Sequence, residues 1–136
     1  MTKKLTLFTA ILMLFASLSF AQNQTDSITV KKKGVYLQNG KILKPKELLE
    51  ITKNNPEAYA LMKKAQTNYA FANVFSFTGG FMIGWQLGSL IGGGEANWGV
   101  AGAGAGTILI AIPFSSAYIK HSQNAVDLYN ADLSKK

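Results

Sequence analysis

Few side chains in this sequence could carry reaction chemistry. It has one histidine, His121, seven acids, no cysteine, and fourteen basic residues that are all lysine. A lone histidine cannot build a histidine-rich metal site within one chain, and no neighbouring serine–acid pair recommends a triad. Catalysis by paired carboxylates needs two carboxyls around one substrate bond, and the scattered acids offer no such local spacing. Gly92-Gly93-Gly94-Glu95 is glycine-rich but lacks the lysine and hydroxyl that complete a phosphate-binding loop, and Gly80-Phe81-Met82-Ile83-Gly84 lacks the spacing of a dinucleotide fingerprint. No catalytic, cofactor-binding or metal-binding residue is therefore expected, and no small-molecule substrate. The absence of arginine argues against nucleic acid, whose guanines and phosphates favour a planar guanidinium. The absence of cysteine excludes thiol chemistry, disulfides and a lipidated cysteine anchor.

The composition points elsewhere. Hydrophobic residues make up 48% of the chain and charged residues only 15%, against about 25% charged in ordinary soluble domains. That deficit favours a membrane. Met1–Lys4 forms a short positive region, Leu5–Phe20 is largely apolar, and Ser19-Phe20-Ala21 places small residues at the minus-three and minus-one positions. This is the pattern of a secretory signal peptide over residues 1–21, cleaved after Ala21. The mature chain would keep twelve lysines against seven acids, a basic balance suited to anionic headgroups or an acidic partner surface.

Residues 22–55 read as a polar arm, a small β-hairpin and a short helix. Gln22–Lys33, polar apart from Ile28-Thr29-Val30, suggests a mobile arm or weak edge strand, and Val35–Leu43 has two apolar runs around Asn39-Gly40, a pair suited to a type I′ turn. Pro45 can open the short helix. Asn55-Pro56-Glu57 then supplies an N-cap, a first-turn proline and an acid at the positive end of the dipole. Residues 56–133 read as a long antiparallel helical hairpin, so the fold class is mainly α. Ala58, Met62, Ala65, Tyr69 and Ala72 recur at helical spacing. Residues 71–91 and 98–119 are uncharged, and about 21 residues at 1.5 Å each match the hydrocarbon thickness of a bilayer. Both are candidate transmembrane spans, joined at residues 92–97. Folding at Glu95 would bring Met62 near Leu128 and Tyr69 near His121. Gln86 is expected to make an intrahelical or snorkelling contact rather than to cross between helices, and Pro113 to kink the second span.

Gly80, Gly84, Gly88 and Gly92 follow one another at four-residue spacing, with Ser76 one turn earlier. On a helix they form a groove without side chains, and Gly99, Gly102, Ala103, Gly106 and Thr107 offer a matching small-residue surface. Lipid supplies no hydrophobic force between helices, so close backbone approach is what holds them together. These ten residues are the expected helix-packing set. The pattern resembles the glycine-zipper two-helix segments of bacterial envelope proteins over about residues 76–112. The leader, Asn97-Trp98 and Ala125–Asn130 also resemble small uncharacterised exported proteins of Bacteroidota. The chain departs from the surface-antigen zipper proteins in lacking their lipidated cysteine, and neither resemblance implies a catalytic activity.

The resulting expectation is a non-enzymatic protein of the bacterial cell envelope, exported and membrane-associated on the periplasmic side, whose hairpin anchors or oligomerises while Lys31–Leu43 meets lipid headgroups or a protein partner. A small oligomeric pore or transport accessory, and a soluble exported helical oligomer, are the alternatives. With Lys63, Lys64 and Lys120 on the exported side, an inner-membrane hairpin would run against the positive-inside rule. Which membrane receives it is therefore left open.

Overall fold

A computed structural model describes residues 26–135. The expected leader, residues 1–21, lies outside them. The described chain runs β1 (Thr29–Lys32), β2 (Val35–Gln38), β3 (Lys41–Leu43), α1 (Pro45–Ile51), a 3-10 turn (Thr52–Asn54), α2 (Pro56–Ile91) and α3 (Trp98–Leu133). The two long helices pack antiparallel, and the small sheet and α1 sit beside the ends remote from their connection.

The sheet is an antiparallel meander in the order β1-β2-β3. Asn39 and Gly40 both have positive φ, at 52° and 77°, as a type I′ turn requires. The expected hairpin thus forms, and Thr29–Lys32 adds a third strand to it with an irregularity between Val30 and Lys32. A three-stranded sheet still needs a surface to lie on. It finds one through Ile28 and Tyr36, which join Leu43, Leu48, Met62, Ala65, Tyr118, Ala125 and Val126 in one apolar cluster. Ile28 is further held by Asn130, whose Oδ1 accepts from the Ile28 amide at 2.9 Å and whose Nδ2 donates to the Ile28 carbonyl at 2.8 Å. The amide side chain thereby does for Ile28 what a neighbouring strand would do.

Local chemistry sets the helix starts. Glu47 Oε2 accepts from the Lys44 amide at 2.7 Å, the return half of a capping box, and Pro45 occupies the first turn. Asn55 Oδ1 accepts from the Ala58 amide at 3.0 Å to open α2, and Asn97 Oδ1 accepts from the Gly99 and Val100 amides to open α3. Each long helix has 36 residues, or about 54 Å at 1.5 Å per residue, well beyond one hydrocarbon thickness. Only the part near the connection is apolar all round.

The register differs from a fold centred on Glu95. Tyr69 lies against Tyr118, with ring centroids 5.1 Å apart, one turn of α3 before His121. Met62 clusters with Ala125 and Val126 rather than Leu128. The loop midpoint does not decide the pairing; the closest backbone approach does, and it falls at Gly79 and Gly104.

Candidate functional site

The seam between α2 and α3 is built on a seven-residue recurrence. Ala58, Ala65, Ala72, Gly79 and Gln86 are buried along α2, and Gly104, Ala111, Tyr118 and Ala125 along α3. Small residues at this spacing keep one narrow side of each helix toward its neighbour. A Cβ added at Gly79 would lie 2.5 Å from the Gly104 carbonyl oxygen, and one at Gly104 would lie 2.8 Å from that of Gly79. At this crossing the backbones touch, and only glycine fits on either side.

Neither Gly79 nor Gly104 belongs to the expected packing set. The glycines that do belong are placed elsewhere: a Cβ at Gly80, Gly84, Gly88, Gly102 or Gly106 would meet nothing within 4 Å. Gly92 forms the C-cap of α2, and Gly99 sits in the first turn of α3 beside the Asn97 cap. Ser76 and Ala103 are exposed, and the Thr107 hydroxyl donates to the Ala103 carbonyl of its own helix at 2.8 Å. The four-residue glycine row is therefore not the surface joining α2 to α3. A four-residue step turns about 40° beyond a full turn of a 3.6-residue helix, so the row from Gly80 to Gly92 winds around α2, whereas seven-residue steps drift only about 20°. A partner helix can follow the second row and not the first. The recurrence Ala58-Ala65-Ala72-Gly79 was the sequence signal for the true seam.

Gln86 also departs from expectation. It is 7% exposed, and its Oε1 accepts from the Asn97 backbone amide at 2.8 Å. It reaches across the connection and satisfies a donor just before α3 begins. Gly93, with φ 78°, lets the chain leave α2 in the direction that makes this reach possible. Pro113 lies within a continuous α3 and is exposed.

Outside the seam the apolar halves present large side chains outward. Phe77, Trp85 and Ile91 are 77%, 65% and 89% exposed, and Phe81, Trp98, Leu109 and Ile112 are exposed with them. Phe71, Phe75 and Phe114 gather on one side, with Phe75 and Phe114 stacked at 5.6 Å. Both helices are long and apolar enough to cross a membrane, their richest 18-residue windows having mean hydropathy 1.3 and 1.6, and only 11% of each window is buried within the chain. The core helix of a soluble protein would be mostly covered.

The head, formed by the small sheet, α1 and the adjoining ends of α2 and α3, provides surface clefts. One of about 470 Å³ is lined by Lys33, Ser116, Ile119, Lys120, Gln123 and Asn124. Another, of about 510 Å³, lies between Lys44-Pro45-Lys46 and the α2 residues Gln66, Tyr69, Ala70 and Asn73. Among the described residues no group of three metal-ligating side chains comes together. No protein-family model, curated protein or solved structure matches this chain.

Proposed function

We propose that this chain is a non-enzymatic membrane protein of the bacterial envelope, anchored by the hairpin of α2 and α3 and acting as a structural or interaction element through its head and the outer faces of its helices. The observation that carries this reading is the continuous outward belt of Phe77, Phe81, Trp85, Leu109 and Ile112 on helices that bury little of themselves. Exposed apolar surface of this extent marks contact with a membrane or a protein partner, and a belt shared by two antiparallel helix segments suits lipid better than a single docking face. Tyr69 and Tyr118 stand where the apolar halves give way to charged residues, the place where aromatic side chains with a polar tip favour a membrane boundary.

Export rests on residues 1–21 and their cleavage pattern. The open glycine row on α2 supplies a route to self-association, since Gly80, Gly84 and Gly88 are uncovered within one chain. A pore is the weaker reading, because Gln86, the best polar candidate for a lumen, is occupied at the turn.

Fractionation of native cells, mass measurement of the processed chain and an alkaline carbonate wash test the reading together. The expected result is a mature chain beginning at Gln22 that stays in the membrane pellet. Release of the processed chain by carbonate would remove the spanning hairpin, and retention of residues 1–21 would remove cleavage.

A further inference from the structure

We propose that the cleft between the β1–β2 turn and α3 binds the phosphodiester headgroup of an anionic phospholipid, an inference that rests on the membrane reading above and specifies the lipid it selects. Ser116, Ile119, Lys120 and Gln123 recur at the spacing of one helix face. Lys33 reaches the same cleft from a different element, because the turn that carries it is seated on α3. The Tyr118 hydroxyl donates to the Gly34 carbonyl at 3.3 Å, and a Cβ at Gly34 would lie 3.2 Å from Ile119 Cγ1. Two ammonium groups, a hydroxyl and two carboxamides thus line one cleft, and no carboxylate is among its lining residues. The ion pairs found among the described residues, Lys41–Glu47 and Lys53–Glu50, involve neither Lys33 nor Lys120. Like charges gathered in this way are stabilised by an anion, and lysine is well suited to a phosphate as a mobile point charge.

The position of the cleft selects a lipid over a free ion. Ile119 is the last residue of the uncharged segment of α3, so the donors stand where headgroups would begin. One and two turns toward the connection on the same face, Ile112 and Leu109 are exposed and offer a track for acyl chains. Donors above an apolar track match an amphiphile, whereas inorganic phosphate would have no use for the track. Basic pockets at helix boundaries are general headgroup sites, and each lysine near an anionic surface changes affinity by about fivefold at low salt.

The full-length chain is reconstituted into phosphatidylcholine vesicles carrying a trace of spin-labelled phosphatidylglycerol or spin-labelled phosphatidylcholine, and the motion-restricted fraction of each label is compared. Phosphatidylglycerol should be enriched beside the wild-type chain. The enrichment should be lost in Lys33→Gln/Lys120→Gln, kept in Lys33→Arg/Lys120→Arg and largely kept in Lys63→Gln/Lys64→Gln. Circular dichroism checks the fold of each variant, and Ser116→Ala/Gln123→Ala replaces the glutamine pair if that pair fails to fold. Unchanged enrichment in Lys33→Gln/Lys120→Gln overturns the cleft while leaving the hairpin in the bilayer. Absence of any restricted label overturns the membrane reading and the cleft with it. Loss of enrichment on adding inorganic phosphate at fixed ionic strength assigns the cleft to the free ion and overturns its assignment to lipid.

Discussion

Tyr36 ties the sheet to the hairpin through one polar contact inside an apolar cluster. Its hydroxyl lies 2.7 Å from Ser122 Oγ, and Ser122 also donates to the Tyr118 carbonyl of its own helix at 2.7 Å. With the serine proton used there, the tyrosine is the donor of the cross-element bond. Tyr36→Phe leaves Ser122 satisfied by its helix, so chemical denaturation should show a loss of about 1 kcal/mol, near the usual net value of one hydrogen bond. Burial raises the Tyr36 pKa above its usual 10, the Ser122 bond opposes that rise, and the charge of Asp127 adds to it. A raised folded-state value means stability that is full below pH 10 and falls as pH climbs through the raised pKa. Melting curves between pH 9 and 12 should show that loss in the wild type and a smaller one in Tyr36→Phe. Glu47 behaves in the opposite sense. The hydrogen bond from Lys41, and then that from the Lys44 amide, lower its pKa below 4.5, so its contribution is present above that pH and disappears as the solution is acidified through the lowered value. Glu47→Gln should flatten the acid limb of the melting profile of the head. Gln86 gives the third residue-scale expectation: Gln86→Leu strands the Asn97 amide and should cost about 1–3 kcal/mol of hairpin stability in denaturant titration.

The two glycine rows make opposite predictions for the helices. Gly79→Ala drives a methyl to within 2.5 Å of a backbone oxygen that cannot turn aside, so the helices must part, at a cost of about 1–3 kcal/mol. Gly84→Ala meets open space in the single chain and should raise its helix stability by up to about 1 kcal/mol. Thermal unfolding of the two variants in detergent separates these effects. If the open row joins two copies, Gly84→Leu/Gly88→Leu should reduce chemical crosslinking while leaving the unfolding of the hairpin itself intact. Unchanged crosslinking would exclude that row from assembly. The extents of the helices were legible because Asn55-Pro56, Gly92–Gly94 and Asn97 are local signals that act within a turn of themselves. The seam was less so. Gly79 and Gly80 are neighbours in sequence but point about 100° apart on a helix, so the four-residue row and the seven-residue row face different ways and only the second packs.

For the molecule as a whole, the head gathers at one end because residues far apart in sequence meet there. Ile28 binds Asn130, and Gly34 rests on Tyr118 and Ile119. With the hairpin in a bilayer and the head outside the vesicle, proteinase K should trim the head and leave the chain from about Ala65 to Lys120 intact, the connection at residues 92–97 being shielded within the lumen. Cleavage at Gly92–Glu95 in sealed vesicles would contradict that arrangement.

The sequence by itself determined the elements: the two long helices and their breaks, the Asn39-Gly40 turn and the apolar halves. All of these depend on short-range conformational preference or on composition, and both can be read from neighbouring residues. Only the tertiary structure decided the register, the Gly79–Gly104 crossing, the Gln86 bond to the connection and the meeting of Lys33 with Lys120. Each of these is a contact between segments distant in the chain. Where several stripes of small residues compete, the one that becomes the seam is chosen by how closely two backbones can run side by side, a property of the pair of helices that neither helix displays alone.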